Sequence, residues 1–512
     1  MRYDLIIIGS GPNGVHGALT AAKLRKRVAL VDQRPEGADG VSVHAGGIPS
    51  KALREAILLL TGFRHRAVFP DLFQRRRRLT MPELQVLSQQ VARNEADCVQ
   101  QQLRSHGVET IVGKARFVGS TEVEISHGPQ GIRRLSGDQF LIDVGSKPNR
   151  PSWVPFDGRT ILDSDELLKL DRIPRSMIVV GGGVVGLEYA MMFAVLGVHV
   201  GVVDAKPRLL EFCDLEMASL LLQQAETLGV QFRLGQQVIG IEKTSTNRAA
   251  VRLEGGQHWQ ADTVLYAAGR RGNTDSLDLR AAGLMRDEQG RLWCNEDHQT
   301  WIKHIYGVGD VVGFPARASA SIEPGRRAIL HAFGQSVPTP KQIPYGLFTI
   351  PELAMVGPTE EKLRDERVPY EVGIAQFHEV PRGHIAGRPE GMLKLLLDRE
   401  SLQLLGVHCL GESATDLVHI GQTVMSFGGT IKSFRDTVFN DSTMAECYKL
   451  AAADALNHLE DQHSVPAPFI DQTAASAFDD ETEDTDIEVA RSVHVVPTPA
   501  LIRHRRLLAR RH

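Results

Sequence analysis

Leu5-Ile6-Ile7-Ile8-Gly9-Ser10-Gly11-Pro12-Asn13-Gly14 is the stretch on which the reading of this 512-residue chain turns. Four branched or long apolar residues run without polar alternation, as in a strand buried on both faces of a parallel sheet. Three glycines follow at once in the spacing G-x-G-x-x-G, and Val15 to Leu24 then reads as a helix. A second apolar run, Val28 to Val31, ends in Asp32. Strand, glycine turn, helix, strand and acid make a βαβ unit. In such a unit the first glycine permits the tight turn, the second lets backbone approach a pyrophosphate, and the third lets helix pack on strand. The helix N-terminus offers unpaired N–H groups and a positive dipole to the phosphates. Asp32 follows Gly11 by 32 − 11 = 21 residues, where a carboxylate accepts ribose hydroxyls, and Gln33 beside it joins the candidate site.

The same order recurs. Met177 to Val180 precedes Gly181-Gly182-Gly183-Val184-Val185-Gly186, a helix is predicted through Leu187 to Leu196, and Val198 to Val203 ends in Asp204. Asp204 again lies 204 − 183 = 21 residues past the middle glycine. Gly9, Gly11, Gly14 and Asp32 therefore form one candidate dinucleotide site, and Gly181, Gly183, Gly186 and Asp204 a second. Glycines that merely pack helix against strand are the competing reading, and an acid in register at both strand ends weighs against it. At the second site Asp204 favours the ribose hydroxyls of NAD, whereas Lys206 and Arg208 offer positive charge to the 2′-phosphate of NADP.

Between and beyond these units the chain is varied. Residues 54 to 107 read as helical, with a glycine stop at Gly107. From about 341 alternating strands such as Met392 to Leu397, with a helix near 413–427, read as a separate α+β region. Residues 459–512 carry an acid run from Asp479 to Asp486 and a basic end, so they read as a disordered tail. Leu501 to Arg511 also fits a short basic helix. The net charge of −4 gives no case for a nucleic-acid or anionic-membrane partner, and Arg75 to Arg78 reads as a solvated face. No apolar run approaches the roughly 20 residues of a spanning helix. The N-terminus has no signal-peptide order, and the five cysteines are scattered without metal spacing, which together predict a cytoplasmic protein with reduced thiols and no metal site.

Two more stretches point to a flavin. Phe140 to Pro148, with Gly145 at its centre, stands where flavoproteins have an ATGSxP crossing strand. Ile305 to Asp310 has the form of a second flavin motif, whose aspartate bonds the ribitol. Both lie outside 177–270, which places FAD at the N-terminal fingerprint and makes its domain discontinuous. Together with Gly46 to Arg54 (GGIPSKALR), Gly269 to Leu277 (GRRGNTDSL), Tyr345 to Glu352 (YGLFTIPE), Val368 to Gly373 (VPYEVG) and Phe439 to Glu446 (FNDSTMAE), these motifs resemble the pyridine nucleotide–disulfide oxidoreductase family. The likeness covers residue 3 to about 458, and within the family it is to the soluble transhydrogenase branch.

The resemblance implies an α/β fold with two Rossmann-like domains, for FAD and NAD(P), and a C-terminal α+β dimerisation domain. The implied divisions are 1–152 and 273–340 for FAD, 153–272 for NAD(P), 341–458 for dimerisation, and 459–512 as tail. It implies tightly bound, non-covalent FAD, NAD and NADP as exchanging substrates, and a homodimer or higher homo-oligomer in which Asp441 to Glu446 reaches the partner's flavin. Lys51 and Glu188 match the family's buried ion pair beside the flavin and are the expected catalytic residues. Gly145, Asp310 and Gly269 join the cofactor-binding set.

The departures matter as much. The family's CxxxxC pair falls at Ser42 and Gly47, and its His-Pro-x-x-x-Glu histidine at Asp441, so neither sulfur nor base is present. His44, between the two vacated positions, reads as a loop filler. A dithiol relay needs two sulfurs and a base to form the thiolate. The expected reaction is therefore hydride exchange between NADPH and NAD through FAD. A diaphorase or oxidase feeding quinone or oxygen, and a flavin-binding scaffold or redox sensor, are the alternatives.

Overall fold

The computed structural model describes residues 2–33, 47–65, 79–126, 131–313, 322–335 and 337–463. The tail beyond 463, the arginine run 75–78, Ser42 and His44 lie outside the described residues. Strand β1 (Arg2–Ile8) runs into helix α1 (Pro12–Lys23) and strand β2 (Val28–Asp32), as the apolar runs predict. Proline at the first helical position suits α1, because its missing N–H is one the helix would leave unpaired. Helix α2 (Gly47–Leu60) and helix α3 (Met81–Ser105) fill the predicted helical stretch. Thr80 and Glu83 close a capping box on α3, and Val108 N–H reaches back to the Leu103 carbonyl beyond its end.

Strands β3 (Glu109–Val112), β4 (Lys114–Gly119), β5 (Glu122–Ser126) and β6 (Ile132–Ile142) complete the first sheet, in the order β3-β2-β1-β6-β5-β4. The strand Ile305–Gly307 returns to this sheet and lies parallel to β6. Leu5, Ile6 and Ile7 are fully buried, since β1 sits in the middle of the sheet with helices on one face and the β4–β5 layer on the other. Each such side chain contributes about 1.5–3 kcal/mol of burial.

The second sheet is wholly parallel, in the order β10-β9-β8-β11-β7. Its members are β7 (Ile161–Asp163), β8 (Ser176–Val180), β9 (His199–Asp204), β10 (Gln231–Leu234) and β11 (Thr263–Tyr266). Helix α4 (Val184–Val195) starts three residues before the predicted Leu187, directly at the glycine turn. It is buried nearly all round, packed between its own sheet and neighbouring parts of the chain. Helix α5 (Leu215–Thr227) follows β9. The crossing strand of the sequence reading is two pieces rather than one. β6 ends at Ile142, and a short strand Ser146–Pro148 pairs antiparallel with Arg270–Gly272, because Asp143 to Gly145 turn away under the glycine loop.

Helix α6 (Glu323–Ala332) packs on α1, where Gly325 is so close to Asn13 that no Cβ fits. The third sheet is antiparallel, in the order β12-β13-β16-β15-β14, from Tyr345–Leu347 (β12), Glu352–Val356 (β13), Tyr370–Gln376 (β14), Met392–Asp398 (β15) and Leu404–Gly411 (β16). Helices α7 (Ala414–Ser426) and α8 (Glu446–His463) cover it. Helix α8 continues five residues past 458, into the stretch read as tail. No helix among the described residues is long and apolar enough to cross a membrane.

Candidate functional site

At the first fingerprint Gly9 has φ +101° and would drive a Cβ into the Asp143 carbonyl, so only glycine is tolerated there. Asp32 is buried, and its Oδ2 accepts from Ser10 N–H at 3.0 Å and from Ser10 Oγ–H at 2.5 Å. Gln33 follows on the surface and lines, with Asp32 and Gly113, a small cavity at the strand ends. Gly14 N–H, in the first turn of α1, donates to Asp143 Oδ2 at 2.6 Å. Asp310 lies on the 3₁₀ turn Gly309–Val311 that follows the returning strand, and its Oδ2 accepts from Ser146 Oγ–H at 2.8 Å. Arg270 holds Ser146 in turn through Oγ and the carbonyl oxygen. Gly145, at φ +65°, turns the chain beside them.

The second fingerprint opens on a cleft of about 770 Å³, within the size range of ligand pockets. Gly181, Gly183, Asp204, Lys206, Arg208 and Gly269 all line it. The position a Cβ would take at Gly183 is open space, and at Gly186 it is filled by the Gly181 carbonyl. Asp204 accepts Gly182 N–H at 2.5 Å and Lys206 N–H at 2.8 Å. The Lys206 ammonium, expected to face a 2′-phosphate, is exposed and has a carboxylate partner. It pairs with Glu211 at 2.5 Å, and that carboxylate pushes its pKa up. Arg208 lines the same cleft without a hydrogen bond among the described residues.

Lys51 on α2 and Glu188 on α4 meet at 2.7 Å across 137 residues of sequence. Glu188 is buried at 6% side-chain exposure, and the Lys51 side chain is 34% exposed. The Phe348 N–H donates to the other carboxylate oxygen at 2.9 Å, and the Phe348 ring lies 5.0 Å from the ammonium. The pair therefore joins α2, the helix that follows the second fingerprint, and the loop between β12 and β13. Phe348, Ser146, Arg270 and Asp143 escaped the sequence reading as site residues. All four act through contacts far apart in the chain, and only the unusual acid at the end of an apolar strand gave any local sign.

Gly47, the second expected cysteine position, is the first residue of α2. All five cysteines are unpaired, and four are buried. Burial pushes the Cys213, Cys294 and Cys447 thiols up to about 12, and Cys409 well above its ordinary range. Asp214, Glu216 and Glu360 converge as a metal site would, but the Lys394 ammonium sits among them.

Residues 3–326 match the family described as pyridine nucleotide-disulphide oxidoreductase, and residues 343–452 its dimerisation domain. A soluble pyridine nucleotide transhydrogenase of Mycobacterium bovis is 44% identical over 460 residues, covering 90% of this chain and 98% of that one. One from Colwellia psychrerythraea is 38% identical, covering 89% and 98%. An HOCl-induced flavoprotein disulfide reductase from Escherichia coli superposes with a TM-score of 0.77 at 26% identity, over 88% of this chain and 99% of that one. LpdA from Mycobacterium tuberculosis shares the fold with a TM-score of 0.81 at 24% identity, over 88% and 99%.

Proposed function

The chain belongs to the pyridine nucleotide-disulphide oxidoreductase family, and from that premise we propose that it exchanges hydride between NADPH and NAD, as a pyridine nucleotide transhydrogenase using bound FAD. The observation that carries this is the Lys51–Glu188 pair, which joins α2 to the helix that follows the second fingerprint, in a chain that also carries the first. FAD suits the first loop and NAD(P) the second. The first has its ribose acid buried and braced by Ser10, as a resident cofactor requires, while the second opens on a broad exposed cleft, as an exchanging one requires. When bound, FAD supplies the two-electron relay between a nicotinamide donor and a nicotinamide acceptor.

The residues then divide the work. Gly9, Gly11 and Gly14 bring the N-terminus of α1 to the FAD pyrophosphate, and Asp32 with Gln33 receives its adenosine end. Asp310, oriented by Ser146, holds the ribityl chain, and Gly145 shapes the turn between them. Gly181, Gly183 and Gly186 seat the exchanging pyrophosphate, Asp204 accepts the ribose, and Gly269 closes the cleft floor. The Lys51 ammonium offers positive charge to the electron-rich ring system, and Glu188 fixes it in place. No proton relay is needed, because hydride enters and leaves as one unit. Dithiol chemistry is not part of this reading. The buried thiols carry negligible thiolate at neutral pH, and none stands at the Ser42 or Gly47 position.

The same reading assigns 1–152 and 273–340 to FAD, 153–272 to the nicotinamide nucleotide and 341–458 to a homodimer. Phe427 and Val438 on the last region are 86% and 91% exposed, as apolar groups awaiting a second copy would be. Five unpaired cysteines agree with a reducing, cytoplasmic setting. The test is dihydrolipoamide turnover beside NADPH-to-NAD hydride exchange. Exchange without dithiol turnover is expected, and the reverse pattern would move the redox centre elsewhere.

A further inference from the structure

Asp143 follows the last residue of strand β6 and lies directly beneath the first glycine loop. Its side chain is 4% exposed, and its Oδ2 takes the Gly14 N–H. A Cβ on Gly11 would stand 2.5 Å from the same oxygen, and one on Gly309 would stand 2.8 Å from Oδ1. The charged groups that face it are Asp310, from the 3₁₀ turn, and Asp32, from the end of β2. Both are acids, and no salt bridge reaches Asp143 among the described residues. Burial above all, and then Asp310 and Asp32, push its pKa well above the carboxylate range, against the single pull of the Gly14 N–H.

The second fingerprint provides an internal control. A Cβ on Gly181 would strike the Ala267 carbonyl just as one on Gly9 would strike that of Asp143, so Ala267 is the counterpart of Asp143. Alanine suffices there for the same turn to form. A carboxyl is therefore not required to build the loop, and at the first site it adds something else.

We propose that Asp143 is a protonated carboxylic acid in the floor of the FAD loop, coupling retention of FAD to the uptake of one proton. This rests on the assignment of FAD to the first fingerprint. A pyrophosphate at the N-terminus of α1 adds negative charge to a pocket that already holds Asp32 and Asp310. Ionising Asp143 is then harder in the loaded protein than in the empty one. A group that titrates higher in the bound state takes up a proton on binding. Between its two pKa values the dissociation constant rises about tenfold per pH unit, and below both it is flat. The acid form keeps its carbonyl oxygen for Gly14 N–H, so it satisfies the helix without adding charge. Loss of the proton would set a third carboxylate against the phosphates.

The experiment uses purified holoprotein, diluted to equilibrium between about pH 6 and 9, with released FAD read by its fluorescence and the fold followed by circular dichroism. Wild type should lose FAD more readily as pH rises, approaching a tenfold change per unit. Asp143→Asn keeps an acceptor for Gly14 but cannot ionise, and should hold FAD with a flat profile near the wild-type low-pH value. Asp143→Ala should also be flat but weaker, since Gly14 loses its acceptor. If Asp143→Asn does not fold, protons counted in weakly buffered solution answer for wild type alone, approaching one released per FAD lost across the pH span where wild-type FAD loss steepens. A yellow wild type whose slope equals that of Asp143→Asn, or that releases no proton, overturns the proposal. A wild type that holds no FAD at any pH overturns the flavin assignment as well.

Discussion

Asp204, Lys206 and Arg208 crowd one strand end, yet their charges are not equivalent. Lys206 pairs with Glu211, whereas Arg208 lines the cleft without such a pair, and on the proposed reading it is the cation better placed to meet a 2′-phosphate. A hydrogen bond to a charged group is worth roughly 1.5–3 kcal/mol, about tenfold to a hundredfold in affinity. Asp204→Ala should accordingly raise the KM for NADH and lower that for NADPH, with the flavin spectrum unchanged. Arg208→Ala should raise the KM for NADPH more than Lys206→Ala does, and more so at low salt. Equal effects of the two would return the phosphate contact to Lys206. His298 makes a different prediction. It is buried, and burial foremost, then Arg327, lowers its pKa to about 4. Between 6.5 and 4 the unfolded chain binds a proton that the folded one does not, so stability falls as the pH drops through that window. The loss is about 3 kcal/mol, and His298→Asn should flatten that part of the stability profile by a comparable amount in urea titrations. Neither Glu211's hold on Lys206 nor the burial of His298 was legible in the sequence. A pair five residues apart in a loop is one of many possible partners, and burial is a property of the whole fold.

The glycine turns were readable because their causes are local, a close backbone approach and a helix start within a few residues. They also give a clean separation of the two sites. At Gly11 a Cβ runs into the Asp143 carboxyl, and at Gly186 it runs into the Gly181 carbonyl. Gly11→Val should yield colourless protein. Gly186→Val should stay yellow but lose its response to NADPH in absorbance titrations, and a yellow Gly11→Val would undo the assignment of FAD to that turn. Helices α2 and α4 present the reverse case, since Lys51 and Glu188 are joined only when three parts of the chain assemble. Family resemblance found that pair, and no periodicity did. Removing the ammonium by Lys51→Met should lower the flavin midpoint potential by roughly 30 mV, about 1.4 kcal/mol for a two-electron couple. An unchanged potential would make the pair a structural tie. Asp143 escaped because the run from Phe140 to Pro148 reads as one strand, whereas the backbone turns there.

Across the whole molecule the tie between the second sheet and the third is a buried cluster. Lys394 and Asp214 are both fully buried and 3.0 Å apart, with Glu216 and Glu360 completing the set. Asp214 caps α5 while Lys394 belongs to β15, so the ammonium fastens the helix that follows β9 to the third sheet. Lys394→Ala leaves the Asp214 carboxylate buried without its counter-charge and should cost about 3–5 kcal/mol in urea stability, with part recovered on adding Asp214→Ala. The sequence shows Lys394 only as a break in an apolar strand, since its partners come from 180 and 34 residues away. The fold class and both fingerprints were legible because strand, turn and acid repeat in register. The assembly of three modules around one ion pair was not, because it rests on contacts between distant segments. That assembly makes one claim above the others, that hydride entering from one nicotinamide leaves to another. It is tested most directly by anaerobic stopped-flow absorbance on the purified yellow protein. NADPH should bleach the flavin band and NAD⁺, added next, should restore it with NADH appearing in equal amount. Reduced protein that ignores NAD⁺ but recovers its colour with oxygen or a quinone would contradict the account.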